Sequence, residues 1–333
     1  MIDYNSIWNS INAESRNSKE HRQIARRIPN EGIFPIFLAS DFAKGIRLLY
    51  IKLDDSNDIS IGAFPSMKGL EITLDVLSLG EFNKELFLKL SQTIPSTGSI
   101  FELFVSDMCD KIDRITNRQS FVNTIVKNLT EWKLFFERSE KKILPISVQK
   151  GLVSELFFLK DVLFRKYSFS ESLSYWTGSE RTNHDFQIRN IAVEIKSTSS
   201  KQHKKFAVSS ERQLDSTGLS HLYVGLYALN IHSNMPDHTL PVLIRSIMTQ
   251  IREDLFSVFQ FQVKLAKYGY NEAHASKYSM GFSIVEMNVF HVAEGFPRLL
   301  QHSLPNGVGD LKYSVVVSAC RPYEVQSDLL TLI

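Results

Sequence analysis

From His184 to Lys196 the chain alternates apolar and polar residues on either side of Arg189-Asn190. Alternation of this kind sends successive side chains to opposite faces of a strand. Asn190 tolerates the positive φ that a two-residue hairpin turn needs. With that turn, Ile188 pairs with Ile191, Gln187 with Ala192, Phe186 with Val193 and Asp185 with Glu194. Phe186, Ile188, Ile191, Val193 and Ile195 then share an apolar face, and Asp185, Gln187, Glu194 and Lys196 share the other.

Two carboxylates set opposite each other repel, at a cost of a few tenths to about 1 kcal/mol. A hard divalent cation between them reverses the sign, and carboxylate oxygens are the donors Mg²⁺ prefers. Lys196, two residues beyond Glu194, brings a positive charge toward whatever the metal binds. Of the other acid-x-Lys triplets, Glu131-Trp132-Lys133 lies in a helical pattern, Glu140-Lys141-Lys142 in a charged linker, and Asp310-Leu311-Lys312 opens a strand with no carboxylate across a hairpin. Upstream, Leu152, Leu156, Leu159 and Leu163 mark a helical stripe with Glu155 inside it. A carboxylate on a buried face needs a partner. Gly151, one turn earlier, would allow another backbone to come close.

Around this segment the 333 residues suggest two domains, 1–143 and 144–333, divided near the charged run from Glu137 to Lys142 and Pro145. The first 30 residues suggest a helical arm with a basic end at Arg26-Arg27. Strands follow, as at Ile46–Ile51 and Leu70–Leu74, then a helix carrying Val122, Ile125, Val126, Leu129, Trp132 and Phe136 on one face. In the second half, a helix is expected from about Val148 to Tyr167, and another through Leu240, Leu243, Ile244, Ile247 and Ile251. Strands are expected at Lys205–Ser209, His221–Leu229, Ser279–Met287 and Tyr313–Ala319. Phe259–Leu265 fits both periods.

Composition sets outer limits. Lysine and arginine total 38 against 36 acidic residues, so nucleic-acid binding would rest on local patches rather than on net charge. The two cysteines, Cys109 and Cys320, are too few for a disulfide framework or a cysteine-rich zinc site. No apolar run approaches a membrane span and the N-terminus lacks a signal-peptide layout, so a cytoplasmic protein is the expectation. No phosphate loop or dinucleotide fingerprint appears.

The helix glutamate, strand aspartate and Glu-x-Lys together resemble the PD-(D/E)XK nuclease superfamily, with His184-Asp185 where Pro-Asp is more familiar. Gly151-x-x-x-Glu155-Leu156, Trp176-x-Gly178, His184-Asp185-Phe186, Glu194-Ile195-Lys196-Ser197-Thr198 and Arg212-Gln213-Leu214 are similar to the bacterial PD-(D/E)XK motif proteins. So are the segments Val292–Arg298 and Pro305–Val308. The resemblance implies an α/β protein with a restriction-endonuclease-like mixed-sheet core, flanking helices and an N-terminal α/β domain for DNA or partner binding. It implies Mg²⁺-dependent DNA hydrolysis, with Mn²⁺ as a substitute, in restriction or phage defence. Asp185, Glu194 and the carbonyl of Ile195 would hold the metal, with Glu155 and Lys196 completing the catalytic set. DNA would be the partner, and a methyltransferase, an ATPase or a second copy of the chain would be compatible company. The alternative is a non-cleaving DNA-binding or scaffold subunit.

Three further features have two readings each. Lys201, Lys204 and Lys205 form either a phosphate-contacting run or a solvated loop. Gln213 either orients the site or the DNA or has a helix-capping or core role, and Trp176 is either core or a base-stacking platform. The nine histidines show no metal-ligand spacing and read as structural.

Overall fold

A computed structural model describes residues 4–17, 23–53, 61–67, 69–94, 98–117, 120–137, 143–180, 182–199, 202–233, 235–325 and 332–333. Two compact units emerge, Met1–Lys142 with Leu265–Gly269, and Ile143–Lys264 with Tyr270–Ile333.

The first unit begins with α1 (Tyr4–Asn17), followed by β1 (Gln23–Ile28), β2 (Ile36–Asp41), β3 (Ile46–Lys52), β4 (Leu70–Leu79) and β5 (Phe82–Gln92). The expected basic end of a helical arm is overturned: Arg26 and Arg27 lie in β1, paired with Leu38 and Phe37 of β2. The strands form an antiparallel sheet in the order β1-β2-β3-β5-β4. Phe37, Tyr50, Phe82 and Phe87 make edge-to-face contacts on one of its faces. Helices α2 (Gly98–Asp113) and α3 (Ser120–Glu137) complete the unit, and Ile125, Leu129 and Trp132 are buried as their spacing predicts.

The second unit opens with α4 (Ile146–Asp161) and α5 (Phe169–Tyr175). Helix α4 stops short of the expected Tyr167, because Leu163–Arg165 tightens into a 3₁₀ turn. Then come β6 (Phe186–Ile188), β7 (Ile191–Thr198), β8 (Lys205–Val208) and β9 (His221–His232). Helices α6 (Leu240–Ile251) and α7 (Leu255–Tyr268) follow, so the ambiguous Phe259–Leu265 is helical, and α7 runs across the division between units. Last are β10 (Gly281–His291), β11 (Tyr313–Val316) and α8 (Val317–Cys320); β11 ends earlier than expected because the chain turns into that helix.

The main sheet of this unit has the order β10-β9-β7-β6, with β7 and β9 parallel and the other pairs antiparallel. This is the expected mixed α/β architecture. Strand β7 is interior, which buries both of its faces. Gly225 of β9 stands opposite Ile195, and a Cβ there would lie 2.9 Å from Ile195 Cδ1. Among the described residues no helix is long and apolar enough to cross a membrane.

Candidate active site

The β6–β7 hairpin has the register that the alternation predicts, with Phe186 opposite Val193, Gln187 opposite Ala192 and Ile188 opposite Ile191. Its turn differs in detail. Arg189, with φ of 54°, takes the left-handed conformation rather than Asn190. The Asn190 carbonyl accepts both the N–H and the Oγ–H of Ser220 at 2.9 Å, which holds it toward β9.

Asp185 lies one residue before β6. Thr177 and Gly178 donate their backbone N–H groups to its carbonyl at 2.8 and 3.0 Å, and Trp176 bridges to Phe186. With its main chain clamped, Asp185 turns Oδ2 onto the N–H of Ile195 at 2.7 Å. The N–H and C=O of one strand residue point the same way, so Ile195 also presents its carbonyl on the side of Asp185.

The expected polar face is not a solvated one. Glu194 is 1% exposed and Lys196 8%. Lys196 Nζ donates to Glu194 Oε1 at 2.7 Å and to Gln213 Oε1 at 2.9 Å. Gln213 Oε1 also accepts the Ser209 N–H at 2.8 Å, so one amide oxygen joins Lys196 to the residue just past β8. Glu194 Oε2 is buried and has no hydrogen-bond partner. Burial pushes the Glu194 carboxyl up to about 8, with the Asp185 charge adding to the rise and Lys196 opposing it. Burial likewise pushes Asp185 up to about 6, against Lys196 and the Ile195 N–H. The two acids and the lysine are therefore one electrostatic unit.

Glu155 is buried on α4, with Oε2 accepting the Trp176 indole N–H at 2.7 Å. Trp176 is fully buried, a core residue that is also a donor, not a stacking platform. Among the described residues no three His, Cys, Asp or Glu side chains are grouped to hold a metal, so Glu155 is not gathered with Asp185 and Glu194. The close approach expected at Gly151 is absent, since a Cβ there would meet nothing within 4 Å. Lys201 lies outside the described residues. Lys204 is tied to Glu286 at 2.5 Å, and Lys205 is exposed at the start of β8.

Lys264 is a supporting residue that sequence reasoning passed over. It is buried on α7 and donates to the Trp176 carbonyl at 2.5 Å and to Glu180 at 2.8 Å, holding the segment that clamps Asp185. A lysine set between the apolar Val263 and Leu265 was the available signal.

The family described as "Putative PD-(D/E)XK family member" matches residues 4–318 of the chain. No curated protein and no solved structure matches significantly.

Proposed function

The chain belongs to that PD-(D/E)XK family, and from this premise we propose that it hydrolyses DNA phosphodiester bonds with a divalent metal ion, Mg²⁺ first and Mn²⁺ as a substitute. The observation that carries the reading is the unpartnered, buried Glu194 Oε2 beside a second carboxylate. A buried acceptor left unsatisfied costs about 1–3 kcal/mol, more if charged. A hard cation removes that penalty, so the residues fit the metal.

Asp185, Glu194 and the Ile195 carbonyl would hold it, all oxygen donors. Mg²⁺ commonly takes only one or two carboxylates from the protein and keeps several waters. When bound, such an ion lowers the pKa of water and neutralises charge on phosphoryl oxygens. Lys196 has three N–H donors. Two are engaged by Glu194 and Gln213, and the third would serve the attacking water or a phosphate oxygen. In the reaction water oxygen bonds to phosphorus, one P–O ester bond breaks, and the released alkoxide takes up a proton. The fixed ammonium stabilises the charge that grows on phosphorus-bound oxygen. Glu155 acts at one remove, through Trp176 and the segment that clamps Asp185.

We extend the reading to a restriction or phage-defence role, with a methyltransferase or ATPase as company, a cytoplasmic setting, and the first unit as a DNA- or partner-binding module. The test is a cleavage assay with Mg²⁺ on methylated and unmethylated DNA and on RNA, with and without neighbouring gene products. DNA products that vanish with chelator support the reading. Cleavage confined to RNA, or absent from all arms, overturns it.

A further inference from the structure

Strands β8 and β11 pair with each other in a two-stranded sheet, with Tyr313 opposite Val208, Ser314 opposite Ala207, Val315 opposite Phe206 and Val316 opposite Lys205. Phe206, Val208 and Val315 face inward and join the core formed with Leu222, Val224 and Leu226 of β9. Lys205, Ala207, Ser209, Lys312, Ser314 and Val316 are all exposed. This outward face has small side chains at its centre, a lysine toward each end and no carboxylate.

One end of the ribbon abuts the proposed site. Ser209, just past β8, donates to the same Gln213 oxygen that receives Lys196 Nζ. Four paired residues at about 3.3 Å each span about 13 Å, with strands about 4.8 Å apart. The major groove of duplex DNA is about 12 Å wide and admits a two-stranded ribbon. Small central residues permit close approach, and the terminal lysines suit the flanking phosphates. Lys204 faces Glu286 instead and takes no part.

We propose that the β8–β11 ribbon is the duplex-contacting element of the site, lying along a DNA groove with Lys205 and Lys312 on phosphates and bringing the backbone to Lys196. The proposal rests on the reading of the site as a DNA hydrolase and adds the surface by which the duplex is held.

The test is fluorescence anisotropy of a labelled DNA duplex with the full chain, Ca²⁺ replacing Mg²⁺, over a salt series. The double variant Lys205→Ala/Lys312→Ala should weaken binding about tenfold or more and flatten the log–log salt slope by about 0.9 for each phosphate no longer neutralised. Ala207→Glu should weaken binding further, with an unchanged melting temperature. If Ala207→Glu misfolds, the lysine variant decides alone, because both lysines are exposed. Wild-type affinity and slope in the lysine variant overturn the ribbon assignment and leave the DNA reading standing. A wild-type chain that ignores duplex DNA, or prefers duplex RNA, overturns both.

Discussion

Glu194 gives one oxygen to Lys196 and keeps the other without a partner, so its protonation is tied directly to stability. The folded chain holds protons on Asp185 and Glu194 more tightly than the unfolded chain, where carboxyls titrate near about 4. Stability from the protonated forms is present below about pH 4 and is lost as pH rises through about 6 for Asp185 and about 8 for Glu194. The metal-free protein should melt at progressively lower temperature from pH 5 to 8, with the Glu194→Gln variant losing less over the upper half of that range. A melting curve independent of pH in both proteins would contradict the assignment. Lys196→Ala should abolish cleavage while Mn²⁺ still raises the melting temperature. Its metal-free form should lose up to about 3–5 kcal/mol where Glu194 is ionised and less where Glu194 carries a proton. Wild-type turnover in Lys196→Ala would remove that ammonium from the chemistry.

At the scale of elements, α4 reaches the hairpin through Trp176. Trp176→Phe takes one donor from the buried Glu155 carboxylate and should cost about 1–3 kcal/mol in denaturant unfolding. Glu155→Gln keeps an acceptor for the indole, so the expected outcome is a folded protein with turnover near that of the wild type, while Glu155→Leu, which removes the acceptor, should reduce turnover. Early unfolding of Glu155→Leu with normal cleavage by the folded fraction would make Glu155 structural only. The hairpin was legible in the sequence because period two and a two-residue turn leave one register, and both signals are local. What surrounds it was not. The parallel partner β9 that buries Glu194 and Lys196 begins at His221, and the Glu286 that captures Lys204 lies 82 residues on. Ser220, 30 residues away, binds the Asn190 carbonyl beside the left-handed Arg189. Such contacts are made only when distant strands meet, and no short-range pattern encodes them. Arg26-Arg27 misled for a related reason: a charged stretch reads as a helical arm until a neighbouring strand pairs with it.

Over the whole molecule, the family match from 4 to 318 takes in both units, and the net charge of +2 supplies no general attraction to nucleic acid. Under the proposed function, recognition would therefore rest on local patches. The first unit has its own buried charge network: Lys267 Nζ lies 2.8 Å from Glu131 and 3.2 Å from Asp107, and Asp107 also accepts from Asn128 and Trp132. Burial works against the Asp107 charge, yet Lys267 and Lys111 outweigh it and hold the carboxyl below its ordinary range. Lys267→Met takes one of two lysines from the buried Asp107 and Glu131, leaving Lys111 as their remaining cation, and should lower stability by up to about 3–5 kcal/mol, read from thermal unfolding; a change near zero would mean that Lys111 alone satisfies both. The central claim concerns the other unit, that Asp185 and Glu194 form a divalent-metal site. Its most direct test is the Mn²⁺-induced rise in melting temperature at pH 8, measured side by side for the wild-type chain and Glu194→Gln. A clear, saturable rise is expected in the wild type and none in the variant, while an equal rise in both would put the metal elsewhere.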